Sequence, residues 1–137
     1  MGRAYLDSCI LIYLIEGAPR IRESVRELMK TKMEEGFEFC FSDLTRLEAR
    51  VGPLKSKDGR LLDLYDRFFL RPSLIRIAPS PTVFDTAALL RAESNLKTPD
   101  ALHLAFAIEG GCDEFWTNDL HLEKAAGERL KIVLPVE

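Results

Sequence analysis

Hydrophobic and polar residues follow two periods along the chain, and the changes between the periods divide it into strands and helices. Short apolar segments rich in aromatic and β-branched residues predict strands at 3–7, 37–41, 75–77, 115–117 and 131–134. Apolar residues at helical spacing predict helices at 9–16, 20–35, 43–51, 58–70, 81–95, 100–109 and 120–127. Single strands are thus followed by helices or by helix pairs over the whole length.

This order predicts an α/β fold with a mainly parallel sheet, because parallel neighbours need crossover connections of about this length. The chain has 137 residues and is 47% hydrophobic, which is enough for the core of one compact domain. We therefore expect a single domain over 1–137. In such sheets binding sites form beyond the carboxyl ends of the strands, so residues that follow strands are the candidates for chemistry.

Four acidic residues have such positions. Asp7 ends the first strand and Asp119 follows the fourth, while Glu48 and Asp100 lie on helices beside the second and fourth strands. Carboxylates that share a crevice repel one another unless cations compensate, and oxygen ligands favour Mg²⁺ and Mn²⁺. The pattern therefore indicates a metal site. Zinc is disfavoured, because the sequence has no cluster of His and Cys ligands.

The predicted helix starts leave two of these acids free to bind a metal ion. Ser8 can cap the helix after Asp7, and Thr98 can cap the helix of Asp100, so neither carboxylate is needed as a cap. After the third predicted helix, the Gly-Pro pair at 52–53 predicts a broken loop over 52–57.

Each acid also has a purely structural interpretation. Asp100 can favour the helix dipole, Asp119 can cap the helix that follows it, and Glu48 can be solvated between its arginine neighbours. Asp7 can be an ordinary turn residue. The metal hypothesis therefore depends on the four acids together.

Composition sets further limits. The net charge of −3, from 22 acidic and 19 basic side chains, does not indicate a nucleic-acid binder, so any such contact needs local basic patches and metal ions. Cys9, Cys40 and Cys112 lack CxxC spacing, and we expect free thiols. Neither a signal peptide nor a membrane span is predicted, and we expect a soluble cytoplasmic protein.

Four segments together carry a resemblance to a known family. They are Tyr5-Leu-Asp-Ser8, Ser42-Asp-Leu-Thr-Arg-Leu-Glu48, Thr98-Pro-Asp-Ala-Leu-His-Leu-Ala105 and Phe115-Trp-Thr-Asn-Asp119. In order and spacing they resemble the PIN domain family, especially the VapC-type toxins of prokaryotic toxin–antitoxin pairs. The resemblance covers almost the whole chain.

The resemblance implies a three-layer sandwich, with helices on both faces of a mainly parallel sheet of about five strands. It also implies a metal-dependent endoribonuclease whose products have 5′-phosphate and 3′-hydroxyl ends. Carried over residue by residue, the catalytic and metal-binding acids are Asp7, Glu48, Asp100 and Asp119. The implied cofactor is Mg²⁺ or Mn²⁺.

Neighbours of the acids have supporting roles in this interpretation. Ser8 and Thr117 would support the acids or hold a water, and Asn118 would shape the turn. His103, one turn after Asp100, faces either the pocket or the core, and its apolar neighbours favour the core. The candidates for phosphate contacts are Arg46, Arg50 and Lys97.

Two other functions fit part of the pattern. A receiver-like or phosphatase-like domain needs a lysine at a late strand end, whereas Lys124 and Lys131 lie in a helix and at a strand start. The remaining alternative is a PIN fold that binds RNA or protein without cutting, and the complete acidic set argues against it.

The expected partners are an RNA substrate, an antitoxin that inserts a basic residue into the acidic pocket, and a second copy of the chain. We expect this homodimer to form through the aromatic and leucine-rich segment 61–70, which offers more apolar surface than one short helix needs to bury.

Overall fold

The computed structural model describes residues 2–136, which form five strands and seven helices. In chain order these are β1 (Gly2–Leu6), α1 (Ser8–Glu16), α2 (Pro19–Glu34), β2 (Phe37–Phe41), α3 (Asp43–Ser56), α4 (Gly59–Phe69), β3 (Leu74–Arg76), α5 (Pro81–Glu93), α6 (Thr98–Glu109), β4 (Glu114–Trp116), α7 (Leu122–Ala126) and β5 (Lys131–Val133). The predicted order of elements is confirmed, and most ends move by one or two residues.

The five strands form one parallel sheet in the order β3-β2-β1-β4-β5. From β1 the chain moves outward through β2 and β3, then returns to the other side of β1 to form β4 and β5. The direction thus reverses between β1 and β4, and a crevice forms at their carboxyl ends. Leu6 is in register with Trp116, so Asp7 and Thr117 leave the sheet side by side.

Alternate residues of the strands pack into two separate hydrophobic cores, one on each face of the sheet. Tyr5 and Phe115 point to the face covered by α5, α6 and α7, whereas Leu6, Phe41 and Trp116 point to the face covered by α1, α2 and α4. Helices therefore cover both faces, and the predicted three-layer sandwich is confirmed. The described helices include none that is long and apolar enough to cross a membrane.

The predicted loop over 52–57 is wrong. Helix α3 continues through Pro53 to Ser56 and ends at Lys57, whose φ of 57° is left-handed. Pro53 is buried, and the ion pair between Arg50 and Asp66 ties this part of α3 to α4. These tertiary contacts offset the backbone hydrogen bond that proline cannot make.

The two predicted caps are also displaced by one residue. Asp7, not Ser8, is the N-cap of α1, and its Oδ1 accepts a hydrogen bond of 2.8 Å from the Ser8 backbone N–H. Helix α6 begins at Thr98, and Lys97 is its N-cap without a side-chain hydrogen bond. Asp7 consequently has a structural role in addition to any chemical one. All three cysteines are free, as expected.

Candidate metal centre

The four predicted acids lie where the carboxyl ends of the strands meet the helices. Asp7 joins β1 to α1, Asp119 follows β4, Glu48 lies in the second turn of α3, and Asp100 lies in the first turn of α6. All four are half-buried. Their carboxylates are thus partly withdrawn from water, which increases their mutual repulsion.

Thr117 connects two of the acids. Its hydroxyl donates a hydrogen bond of 2.8 Å to Asp7 Oδ2 and accepts one of 3.2 Å from the Asp119 backbone N–H. Thr117 is fully buried, so these contacts are shielded from solvent. Asp119 Oδ1 in turn accepts a hydrogen bond of 3.0 Å from the His121 backbone N–H. The Thr117 hydroxyl therefore ties the loop after β4 to Asp7 at the end of β1.

Glu48 and Asp7 approach each other around His103. His103 Nε2 lies 2.6 Å from Glu48 Oε1 and 3.6 Å from Asp7 Oδ1. One ligand atom from each of these three residues lies within 4.8 Å of the others, which is close enough to surround one ion. His103 is only 2% exposed, so it belongs to the core as expected, yet its ring also faces the pocket.

The charges of the site act on one another. Burial, and then the negative charges of Asp7 and Asp119, raise the pKa of Asp100 above its usual value, and Glu48 adds to this effect. Burial also opposes ionisation of Glu48, but the hydrogen bond with His103 favours the ionised carboxylate, and the pKa of Glu48 is lowered from its usual value. Asp100 thus lies in surroundings that disfavour its ionised form.

The donor set fits a hard divalent cation. Four half-buried carboxylates offer oxygen ligands, and a bound cation would offset the burial and the neighbouring negative charge that raise the pKa of Asp100. The acidic cluster could therefore bind a metal ion. His103 adds one nitrogen to the surroundings, which the sequence interpretation did not count among the possible ligands.

A buried polar network lies beneath Glu48. His103 Nδ1 is 2.7 Å from the hydroxyl of Tyr5, which is fully buried and contacts Ser42 at 2.7 Å and Thr45 at 3.1 Å. Burial raises the pKa of Tyr5 far above its usual value, so its hydroxyl keeps its proton. The sequence interpretation missed Tyr5 and Thr45.

Spacing alone contains a signal for this network. Tyr5 precedes Asp7 by two residues in the predicted strand 3–7, and this spacing predicts that both side chains leave the same face of the sheet. Thr45 precedes Glu48 by one helical turn, and the same spacing separates Asp100 from His103.

The predicted phosphate contacts and the predicted turn residue differ in how far other side chains already bind them. Arg50 Nε donates to Asp66 Oδ1 at 2.9 Å, and Arg46 lies 3.8 Å from the same oxygen, so Asp66 partly neutralises both arginines. Lys97 is exposed beside the start of α6. Asn118 Nδ2 donates to the Tyr13 hydroxyl at 2.9 Å, which fixes the turn after β4.

Comparison with solved structures places this architecture among known folds. The VapBC2 complex of Rickettsia felis, bound to a promoter DNA fragment, contains a chain that is 20% identical, with a TM-score of 0.78 over 96% of this chain and 97% of that chain. For DNA-bound VapBC of Salmonella typhimurium, the values are 21% identity, a TM-score of 0.75, and 97% and 98% coverage.

A toxin–antitoxin complex from Klebsiella pneumoniae is similar at 26% identity, with a TM-score of 0.70 and 98% of both chains covered. No curated protein matches the chain. The family model of the PIN domain matches residues 4–128, which is most of the sequence and includes all four acids. The chain therefore belongs to the PIN domain family.

Proposed function

We propose that the chain is a metal-dependent endoribonuclease and the toxin of a toxin–antitoxin pair. The observation that carries this proposal is the close approach of Asp7 and Glu48 at the strand ends, together with the effect of Asp7, Asp119 and Glu48 on the pKa of half-buried Asp100. Membership of the PIN family and similarity to toxin–antitoxin complexes support it. The proposed role requires access to cytoplasmic RNA.

Asp7, Asp100 and Asp119 would hold Mg²⁺ or Mn²⁺, directly or through water, and Glu48 would complete the site. When bound, such an ion lowers the pKa of a water molecule and neutralises charge on a phosphodiester. Asp7 has both oxygens in use, by the Ser8 N–H and the Thr117 hydroxyl. Its carboxylate is therefore oriented before any ion arrives, which reduces the entropic cost of binding.

Glu48 is the acid best placed to move a proton. Its Oε1 is engaged by His103, and its lowered pKa keeps the carboxylate ionised at neutral pH. We propose that its other oxygen, Oε2, accepts a proton from the water that attacks phosphorus. The bond from phosphorus to the 3′ oxygen then breaks, and the leaving oxygen takes a proton from solvent, which leaves 5′-phosphate and 3′-hydroxyl ends.

Phosphate contacts are part of the same proposal. Lys97 is exposed beside the first turn of α6, and Arg46 keeps an exposed guanidinium despite its distant pairing with Asp66. These two are stronger candidates than Arg50, which is closely paired. Ser8, whose side chain helps to lower the pKa of Glu48, supports the acid rather than the substrate.

The decisive experiment is cleavage of end-labelled RNA by purified protein with Mg²⁺, Mn²⁺, Zn²⁺ or EDTA. We expect cleavage with Mg²⁺ and Mn²⁺, weak cleavage with Zn²⁺, and no cleavage with EDTA. Asp85→Asn is a matched control, because Asp85 is an exposed acid on α5. Metal-independent cleavage would refute the mechanism, and binding without any cleavage would favour the non-catalytic PIN module.

A second region supports the proposed antitoxin partner. Helices α1, α2 and α4 enclose a groove of about 860 Å³ with an apolar floor that includes Leu14, Met29 and Phe68. Five basic residues and one acidic residue also line it, namely Arg22, Arg26, Lys30, Arg67, Arg71 and Glu34. Within residues 2–136, the buried Nε of Arg22 has no hydrogen-bond partner.

We propose that this basic groove receives an amphipathic segment of the antitoxin, with apolar residues on the floor and acidic residues at the rim. The segment would continue to the acidic crevice and place a basic residue there, as the resemblance implies. Co-expression with the product of the adjacent reading frame tests the partner. Failure of the two proteins to copurify would count against an antitoxin from that frame.

We propose a homodimer as well, with a contact surface that adds α3 to the expected segment 61–70. Within that segment Tyr65, Phe68 and Phe69 are buried in the chain's own core, whereas Leu64 and Leu70 are exposed. Helix α3 packs against α4 and adds a stripe of exposed apolar residues that consists of Leu47, Val51 and Leu54. Sedimentation should detect a dimer that Leu54→Glu disrupts, and a monomeric wild type at micromolar concentration would argue against it.

A further inference from the structure

The hydrogen bonds beneath Glu48 determine which nitrogen of His103 carries a proton. Ser42 Oγ accepts from the Thr45 N–H at 3.4 Å, so its own hydroxyl is free to donate to Tyr5 Oη at 2.7 Å. Thr45 Oγ1 donates to the Leu6 carbonyl at 3.3 Å. The Tyr5 hydroxyl therefore accepts from Ser42 and has one proton left to donate.

Two acceptors compete for the Tyr5 proton. His103 Nδ1 lies at 2.7 Å, whereas Thr45 Oγ1 lies at 3.1 Å and already accepts from the Ser42 N–H. The shorter bond goes to the histidine, so Nδ1 is the acceptor and the ring proton resides on Nε2. The Nε2–H then donates to Glu48 Oε1 at 2.6 Å.

We propose that His103 is a positioning residue that donates from Nε2 to Glu48 and does not ligate the metal, and that Tyr5 fixes this tautomer. The inference rests on the proposed metal-dependent function. A nitrogen that carries a proton has no lone pair for an ion, so the three-residue cluster of Asp7, Glu48 and His103 supplies only oxygen ligands. The tautomer thus preserves the preference for hard cations.

Positioning also limits how Glu48 can rotate. The buried ring occupies Oε1, and the proposal assigns the other oxygen, Oε2, to the ion or its water. His103 is buried on α6 and is hydrogen-bonded at both ring nitrogens. Its ring therefore holds the Glu48 carboxylate of α3 in one orientation. Removal of a residue that hydrogen-bonds to a metal ligand typically weakens metal binding by about 10- to 100-fold.

Nitrogen NMR of protein labelled with ¹⁵N-histidine tests the tautomer directly. The chain contains two histidines, and a His121→Gln variant assigns the spectrum, because the His121 side chain is 98% exposed. We expect His103 Nδ1 to resonate as an unprotonated nitrogen and Nε2 as a protonated one. Addition of Mg²⁺, with binding followed by calorimetry on the same sample, should leave Nε2 protonated.

The outcomes separate this inference from the proposed function. Mg²⁺ binding with loss of the Nε2 proton would make His103 a ligand and overturn the inference, while the metal site itself would stand. Absence of Mg²⁺ binding would overturn the proposed function and the inference with it. A ring that carries its proton on Nδ1 in metal-free protein would overturn the inference whatever the metal does.

Variants provide an independent measurement. His103→Leu should weaken Mn²⁺ binding about 10- to 100-fold, and His103→Gln, which retains an N–H donor toward Glu48, should recover most of the affinity. Tyr5→Phe should allow the Nδ1-protonated tautomer to appear, whereas Tyr13→Phe should leave the His103 spectrum unchanged. Equal Mn²⁺ affinity of His103→Leu and wild type, with both proteins folded by melting, would overturn the proposal.

Discussion

The acidic crevice and the basic groove are opposites built on the same chain. The crevice gathers four half-buried carboxylates, and the arginines nearest to Glu48 in sequence are turned toward Asp66. The groove gathers five basic residues around an apolar floor with one acid among them. Each region therefore carries charge that nearby residues do not neutralise.

This contrast explains why the net charge was a poor guide. A value of −3 averages two local fields of opposite sign. Clusters of like charge lower the stability of a folded chain. Here they lie where a cation and a partner are proposed to bind. Substitutions in one region should therefore leave the other region's function unchanged.

The largest effect is expected from Asp7→Asn. Loss of the central carboxylate should reduce RNA cleavage more than about 100-fold, since even the outer partners of metal ligands cost up to that factor. Metal-free stability should stay within about 1 kcal/mol of wild type, because relief of carboxylate repulsion offsets the acceptor that Thr117 loses. Cleavage assays and melting scans measure both, and retained activity would mean that the site is wrongly assigned.

Magnesium should stabilise the wild type and leave Asp7→Asn nearly unchanged. At a Mg²⁺ concentration 100-fold above Kd, mass action adds about 2.7 kcal/mol to the free energy of unfolding. For a domain of this size that corresponds to a rise in Tm of roughly 10 °C. Equal shifts in the two proteins would show that the ion binds elsewhere.

Charge reversal in the basic groove should act on partner binding alone. Arg22→Glu together with Arg26→Glu is expected to weaken antitoxin binding at least about tenfold, because acidic partner residues would face like charge. RNA cleavage by the protein alone should be unaffected. Lys124→Glu on α7 is the control, and an equal loss of binding in this variant would refute the assignment of the groove.

The smallest effect concerns pH. The folded pKa of Asp100 lies above that of the unfolded chain, so the stability it contributes is present below the unfolded pKa and is lost as pH rises through the folded one. Metal-free Asp100→Asn should therefore be more stable than wild type at neutral pH, and the difference should shrink on acidification. Chemical unfolding across this pH range measures the difference.

Glu48→Gln should show the opposite sign. The pKa of Glu48 is lowered in the folded state, so its stabilisation is present above the unfolded pKa and is lost as pH falls through the folded one. Parallel pH profiles for the two variants would contradict the different surroundings assigned to Asp100 and Glu48.

The order of elements could be predicted because the spacing of hydrophobic residues is most regular in the segments that are most buried. Helix α6 is apolar on nearly all sides and lies inside a core, and β2 is an aromatic strand with three buried residues. The course of α3 could not be predicted, because local propensity at Pro53 argues for a break and only contacts with α4 reverse it.

The positions of the four acids followed from the rule about strand ends, and the family resemblance sharpened them. The role of His103 could not be obtained in this way. Its apolar neighbours in sequence predict a core residue, which is correct for its burial, but its hydrogen bonds join Tyr5 on β1 to Glu48 on α3. Such a contact depends on tertiary packing, and no local pattern specifies it.

The pairing of β1 with β4 determines when the acidic crevice can form during synthesis of the chain. Asp7 and Thr117 meet across 110 residues of chain, so the crevice closes only after the fourth strand has joined the sheet. Contacts of such long sequence separation form late in folding, since closing the loop costs entropy before the contact repays it. A chain still being translated, with β4 inside the ribosome, contains Asp7 and Glu48 without the other half of the site. The proposed nuclease site is therefore incomplete while the chain's own synthesis is under way.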